Sequence, residues 1–485
     1  MTEFAQWGWW WLEALSLVGV VAAWHALLHK REPRAAFAWM LVTLTLPLLG
    51  AALYLLFGIN RAQRRARRLR GGPWQMACPP PASLPDVCSV APDTLADLAR
   101  AGGKVTGLPL WPGNALEIFH DGDQVYPAML AAIRAAHTTI DLATYIFENN
   151  ALGRDFVAAL AEAGARGVRV RVLLDGLGEW YSRGIRGRLR GAGIAVRRFN
   201  PPRLLPPSLN INLRNHRKLL LVDGRIAFTG GINIGDRHLL DPPRIRHPVA
   251  DLHFALRGPV LVDLHAVFQD SWIQADGDAT ATTATATTAT ATGDTFATPP
   301  PVGDSLCRVI PDGPDEHMDL LALMLHAATA AARSSLRIMT PYFLPSRELI
   351  AALQSAALRG IAVTVLLPGH SNLPYVHWAT RHLLADLLRR GVRVCYQPPP
   401  FHHGKLLIVD DAYVLLGSAN IDPRSLRLNY ELGVEVFDAR FAQELARWFD
   451  GRVAVSTPLA LAALEARSLA VRTRDALCWL ASPYL

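Results

Sequence analysis

Two long apolar runs open the chain, and the pattern after them alternates on a shorter scale. Residues 8–28, GWWWLEALSLVGVVAAWHALL, and 35–58, AAFAWMLVTLTLPLLGAALYLLFG, are almost wholly apolar. Each reaches the ~20 residues that span a bilayer as a helix. The pattern predicts two transmembrane helices over residues 8–58. Glu13 lies near an end of its run, and proline, here Pro47, is tolerated in membrane helices. A cleaved secretory signal fits less well, because Glu3 stands where a basic segment belongs and no convincing small-residue cleavage site follows.

Residues 59–100 read as a basic juxtamembrane segment and linker. Arg61, Arg64, Arg65, Arg67, Arg68 and Arg70 carry most of the net charge of +8, and residues 71–91 are rich in proline and small residues. The basic character is therefore local. Lys30, Arg31 and Arg34 in the short loop oppose this cluster in the positive-inside balance, but the larger cluster predicts a cytoplasmic soluble part. It would also draw that part towards anionic headgroups, at about 1 kcal/mol per basic residue.

Beyond residue 100, short β-branched runs alternate with Ala/Leu-rich helical stretches, which predicts an α/β fold whose strands are buried on both faces. The alternation occurs twice. TIDLATYIF (139–147), GVRVRVLLDG (167–176) and AGIAVRRFNPP (192–202) are echoed by SLRIMTPYF (335–343), GIAVTVLLPG (360–369) and RGVRVCYQPP (390–399). Two similar lobes, residues 101–277 and 303–485, are expected to pack about a pseudo-twofold axis. Residues 278–302 separate them. Ala279–Thr292 holds only alanine and threonine, with no hydrophobic period from which to build a core, and is expected to be disordered. With 51% hydrophobic and 19% charged residues, disorder of the whole chain is excluded. The five cysteines show no CxxC spacing and read as reduced thiols.

The closest match between the lobes is HRKLLLVD (216–223) against HGKLLIVD (403–410), followed by Gly230, Gly231 and Asn233 against Gly417, Ser418 and Asn420. Both copies thus read HxKxxxxD followed by GGxN or GSxN. In an extended strand, residues two apart share a face, so each copy presents one imidazole and one ammonium together. Two such pairs suit phosphoryl transfer without a metal. One of His216 and His403 attacks phosphorus while the other protonates the leaving oxygen and later serves as base. Lys218, Lys405, Asn233 and Asn420 would hold the nonbridging oxygens of the transition state. Asp251 in ADLHF and Glu431 in LNYEL are candidates to orient the imidazoles. Asp223 and Asp410 complete the motif, but lie five residues past the lysine on the opposite strand face, where a structural ion pair is the expected role.

A lone histidine near an aspartate is more often a packing residue than a catalyst. Repetition reverses that balance, because only four of the 49 basic residues are lysines, and two of these fall at the same motif position in both lobes. His402 next to His403 suggests a metal, yet no Cys or carboxylate cluster at a usual ligand spacing accompanies them. Neither a P-loop nor a dinucleotide-binding glycine pattern occurs. No metal and no cofactor are expected.

The paired motifs resemble the phospholipase D superfamily and, within it, the bacterial cardiolipin synthases. The closer likeness rests on the two N-terminal spans ending LPLLGAALYLLFG and on YIFENNALG, LLDGLGEW, LNINLRNHRKLLLVDG, FTGGINIGD, TPYFLP and GSANIDPRSLRLNYEL. Gly404 departs from it, standing where many members carry Ala or Ser. The resemblance implies two duplicated phospholipase D-like lobes, each a mixed sheet flanked by helices, in a multi-pass protein of the bacterial inner membrane. It implies phosphatidyl transfer between two phosphatidylglycerol molecules through a phosphohistidine, giving cardiolipin and glycerol. It also implies His216 as the nucleophile, phosphate binding by Lys218, Lys405, Asn233 and Asn420, and orientation of the histidines by Asp251 and Glu431.

Four other readings compete. A phospholipase D-type hydrolase would use water as acceptor, and a transferase variant would use phosphatidylethanolamine as one substrate. A membrane-tethered nuclease is disfavoured, because outside residues 61–70 the chain lacks the basic footprint that a nucleic acid needs. A noncatalytic scaffold would have no use for two intact His/Lys pairs.

Overall fold

The computed structural model describes residues 2–30, 32–58, 93–202, 212–241, 245–275, 296–315 and 317–482. The arginine cluster, the linker and the Ala/Thr segment lie outside these residues. The chain divides into two compact units, residues 1–65 and 66–485.

In the N-terminal unit a helix, Thr2–His29, is followed by two shorter ones, Pro33–Thr45 and Pro47–Leu53, and by a π-helical turn, Tyr54–Gly58. The second apolar run is therefore not the single continuous helix expected over 35–58. Pro47 has no N–H to donate and disfavours helical geometry in the residue before it, so Leu46 leaves the helical region (φ −128°, ψ 72°) and Pro47 starts a new helix. Small residues let the helices approach closely. A Cβ on Gly19 would lie 2.5 Å from the Thr43 carbonyl oxygen. Leu17, Trp24, Leu28, Phe37 and Leu41 face outward. Among the described residues, no helix is long and apolar enough to cross a membrane.

The second unit is built on one 15-stranded mixed sheet. At its centre β1 (Trp111–His120) runs antiparallel to β9 (Ser305–Asp312). Outward from β1 come β8 (Leu252–Arg257), β6 (Ile226–Gly230), β5 (Leu219–Val222), β2 (Thr139–Thr144), β3 (Arg169–Asp175) and β4 (Ala195–Phe199). Outward from β9 come β16 (Glu431–Phe437), β15 (Tyr413–Gly417), β14 (Leu406–Val409), β10 (Ser335–Met339), β11 (Ala362–Pro368) and β12 (Arg393–Gln397), with the short β17 (Thr457–Pro458) at the edge. The two halves repeat one strand order, and in both the outer three strands of the repeat are parallel. The duplicated mixed sheet expected from the sequence is present, joined through its centre into one layer.

β5 and β14 read LLLV and LLIV and are buried along their whole length, as continuous apolar runs in a sheet covered on both faces must be. Helices cover them. Asn150, Ser346 and Asp438 cap three of these by accepting from backbone N–H groups of the first turn. One core gathers Ile140, Phe156, Leu160 and Leu220; the other gathers Met324, Ile338, Leu353 and Leu407. Cys307, Cys395 and Cys478 are free thiols; Cys78 and Cys88 lie outside the described residues.

A buried ion pair locks the centre. Arg308 on β9 faces Glu435 on β16, with Nη1 to Oε1 at 2.6 Å and both side chains fully buried. Arg308 also donates to the Ala99 carbonyl (2.9 Å), and the Tyr413 hydroxyl donates to Glu435 (3.1 Å). The helix Ala96–Thr106 reaches this pair through Gly102, where a Cβ would lie 2.0 Å from the guanidinium. Removing one partner strands a buried charge. Arg308→Ala is expected to lower stability by about 3–5 kcal/mol. The Arg308→Met/Glu435→Leu double variant should lose much less, as read by urea unfolding of the detergent-solubilised protein.

Candidate active site

Both His-x-Lys segments enter the sheet at equivalent places, immediately before β5 and before β14. Each is stitched to the opposite half. Phe401–His402 pairs in parallel with Val249–Ala250, and His403 N–H donates to the Ala250 carbonyl at 2.7 Å. On the other side Asn215 pairs with Tyr430, and His216 N–H donates to the Tyr430 carbonyl at 2.9 Å. The residues after Ala250 and Tyr430 are the two carboxylates.

The carboxylates are consequently exchanged between halves. His216 Nδ1 lies 2.9 Å from Glu431 Oε2, and His403 Nδ1 lies 2.9 Å from Asp251 Oδ2. A carboxylate can only accept, so the proton sits on Nδ1 and each Nε2 carries the lone pair. All four side chains are buried or nearly so. Burial holds the His216 imidazole below its ordinary value despite Glu431 beside it. His403 is held well below, by burial first and then by the charges of Lys405 and Lys218. Burial pushes the Glu431 carboxyl up, but His216, Lys218 and the Ser418 hydroxyl more than offset this and leave it below the usual range.

The lysines are buried as well. Lys218 Nζ donates to the His216 carbonyl at 2.7 Å, and Lys405 Nζ to the His403 carbonyl at 2.5 Å. Lys405 Nζ also lies against the His403 ring, 2.8 Å from Nδ1 and 3.2 Å from Nε2. Desolvation, partly countered by Glu431 and Asp251, draws Lys218 down to about 7 and Lys405 to about 8. Such a site gains from any anion placed between the lysines, because the anion restores their protons.

Asn233 and Asn420 follow β6 and β15 in the same register. Asn233 Oδ1 accepts from Ile146 N–H at 3.2 Å, which turns its amide N–H groups away. Asn420 is buried and its Oδ1 lacks a protein partner. The glycines before them are required by geometry. Gly230 and Gly417 have φ of +148° and +154°, and a Cβ on Gly417 would lie 2.1 Å from the Leu432 carbonyl oxygen. The next position separates the two motifs. At Gly231 a Cβ would fall 2.2 Å from Asp251 Oδ1, whereas Ser418 Oγ donates to Glu431 Oε2 at 2.5 Å.

The structure removes Asp223 and Asp410 from the site. They lie just past β5 and β14, roughly 16 Å from the lysines at ~3.3 Å per residue. Among the described residues they make backbone hydrogen bonds and not the ion pairs expected for them. Asp223 accepts from the backbone of His137, Thr138 and Thr139 and from the Thr138 hydroxyl, at 2.8–2.9 Å. Asp410 does the same with Arg333, Ser334 and Ser335 at 2.8 Å. These N–H groups hold both carboxyls below the ordinary range against partial burial. Each aspartate ties the turn before β2 or β10 to the end of the neighbouring strand.

Three site residues escaped the sequence reading. Tyr145 packs edge-on against His216 with ring centroids 5.2 Å apart, and Tyr342 does so against His403 at 6.1 Å. Their signal was the repeated TYIF and PYF, read there only as strand ends. Ser418 was aligned with Gly231 but given no role. His402 is a packing residue: its Nδ1 accepts from Gly404 N–H at 3.2 Å, its ring tilts against Trp448, and burial pushes it down to about 4. Among the described residues, no group of three or more His, Cys, Asp or Glu is arranged to hold a metal ion.

A family model described as "Cardiolipin synthase, PLD-like domain" matches residues 129–241 and 325–453, and one described as "Phospholipase_D-nuclease N-terminal" matches 17–58. The chain is 30% identical over 479 residues to the major cardiolipin synthase ClsA of Bacillus subtilis, covering 94% of this chain and 95% of that protein. It is 33% identical over 448 residues to cardiolipin synthase A of Pseudomonas syringae, covering 89% and 88%. The solved structure of phosphatidylserine synthase from Haemophilus influenzae has the same fold, with a TM-score of 0.61 at 15% identity, covering 80% of this chain and all of that one.

Two outcomes follow from the geometry. Below their lowered values the lysines are protonated and can hold a phosphate, and above them they are not. The kcat/KM profile should therefore begin to fall as pH rises through about 7–8, far below an ordinary lysine's range, and any activity left in Lys218→Arg should lose much of that limb. Asp223→Ala should cost about 1–3 kcal/mol of stability through its lost backbone bonds. Its kcat, measured on the folded fraction, should stay within about twofold of the parent.

Proposed function

Because the chain belongs to the cardiolipin synthase family with phospholipase D-like domains, we propose that it joins two phosphatidylglycerol molecules into cardiolipin, releasing glycerol. The observation that carries this reading is the exchanged pair of dyads, two neutral imidazoles each beside a buried lysine. In the first step His216 Nε2 attacks phosphorus. The bond from phosphorus to the headgroup glycerol breaks, and His403, protonated at Nε2 once the anion is bound, gives its proton to the departing oxygen. In the second step His403 takes the proton from a hydroxyl of the second phosphatidylglycerol. That oxygen attacks the phosphohistidine, forming cardiolipin and freeing His216. His216 is the better candidate for nucleophile, because the Lys405 ammonium lies against the His403 ring, 2.8 Å from Nδ1 and 3.2 Å from Nε2, and makes His403 the weaker base and the stronger acid.

Lys218 and Lys405, with the amides of Asn233 and Asn420, neutralise the nonbridging oxygens, worth several kcal/mol in a water-poor site. Glu431 and Asp251 hold each Nδ1 proton and stabilise the imidazolium as it forms. The N-terminal helices serve as a membrane anchor, a reading supported by their outward-facing Leu17, Trp24, Leu28 and Phe37. The arginines at 61–70 favour the cytoplasmic face of a bacterial inner membrane. The two lobes are taken as residues 101–277 and 303–485.

Mass spectrometry of lipids after incubation with phosphatidylglycerol liposomes tests the reading. The parent should yield cardiolipin and glycerol, and the intact quenched protein should carry one phosphatidyl adduct. His216→Ala and His403→Ala should each lose at least about 10³-fold in rate. Phosphatidic acid without cardiolipin would make the protein a hydrolase.

A further inference from the structure

The helix Leu469–Leu480 leaves leucines in the open while it buries an ion cluster. It packs on the helix Pro374–Leu388, and its inward face carries the fully buried Asp475, paired with Arg467, with Arg474 at 2.8 Å and with Arg381 at 3.3 Å. Its outward face carries Leu469, Leu477 and Leu480, which are 77%, 61% and 66% exposed. At 100° per residue these three leucines fall within an arc of about 80°. A surface helix in water ordinarily does the opposite, burying its leucines and exposing its ions.

We propose that this helix lies in the surface of an anionic phospholipid leaflet and holds the mouth of the active site against it. The inference rests on the lipid-transfer reading above. An apolar stripe flanked by basic side chains is the pattern of an interfacial helix. Arg472 and Arg474 flank the stripe, and the Arg474 guanidinium lies over the Trp378 ring at 4.2 Å. Three guanidinium groups share the one carboxylate of Asp475, so the helix pair presents net positive charge, complementary to anionic headgroups.

The inner side of the same helix leads to the site. Cys478 and Trp479 pack on a small cluster of Leu344, Val376 and Ala379 that also includes Tyr342, whose ring stands against His403. Exposed aromatic residues follow the equivalent strand of each half, Tyr375 after β11 and Trp180 and Tyr181 after β3. A second copy of the chain would need no arginine rim and no aromatic residues on both halves.

The anchor would keep any variant on vesicles, so the test reads depth and turnover on the full chain in proteoliposomes. A nitrobenzoxadiazole probe on Leu477→Cys, with the native cysteines replaced, should be quenched by shallow spin-labelled lipid in phosphatidylglycerol vesicles. The same probe on Leu358→Cys, on the exposed face of another helix, should not. Leu477→Glu/Leu480→Glu should lose at least about tenfold in cardiolipin formation on vesicles, yet stay within twofold of the parent in detergent micelles that disperse the substrate. An unquenched Leu477 probe, equal losses on vesicles and micelles, or a probe shift that follows protein concentration without lipid would each overturn the proposal. If no protein makes cardiolipin in either setting, the transferase reading fails, and quenching alone decides the membrane contact.

Discussion

The structure turns on an exchange: each imidazole takes its orienting carboxylate from the other half of the molecule. Neither half can therefore assemble a working dyad by itself. The exchange requires the halves to be held in one register, and three features supply it. The sheet is continuous through β1 and β9, the Arg308–Glu435 pair fixes β9 beside β16, and short parallel pairings carry Ala250 and Tyr430 to the opposite histidine segments. Holding the backbone next to each carboxylate leaves the side chain little freedom to wander, and that is the geometric control general acid–base chemistry needs.

Charge follows from the same arrangement. Two lysines and two carboxylates are taken out of water around two imidazoles that burial keeps neutral. The lysines are drawn down as a result. In the proposed reaction the phosphate group of a lipid would supply the missing counter-charge, and its binding would be coupled to proton uptake where a proton is next required. A more exposed site would hold its lysines fully charged, but would give up the low dielectric that makes them effective.

The duplicated α/β architecture and the two His/Lys pairs were legible because they repeat at one spacing, and repetition is a signal that a single motif lacks. The crossing of Asp251 and Glu431 was not legible, since spacing along a chain says nothing of which half a strand end faces. Asp223 and Asp410 were expected to be structural, and are, though their partners are backbone N–H groups and not cations. They are as strictly repeated as the histidines, but what repeats is a tie between a turn and a strand end, so regularity marks a duplicated fold as readily as duplicated chemistry. Pro47 was read as tolerable within one helix, and the missing N–H instead splits the run in two. Tyr145 and Tyr342 were hidden by sitting one and three residues past strands whose apolar character alone explained the pattern.

The difference between Gly231 and Ser418 reaches beyond local packing. A twofold site made by two identical subunits gives both of its histidines the same surroundings, and chemistry must break that symmetry anew in every turnover. Carrying both halves on one polypeptide lifts the requirement. Here one carboxylate is the shorter Asp251 seated against a bare glycine, and the other is the longer Glu431 held by a serine hydroxyl. The two bases thus differ before any substrate arrives, and a division of labour between attack and proton delivery can be inherited in the gene.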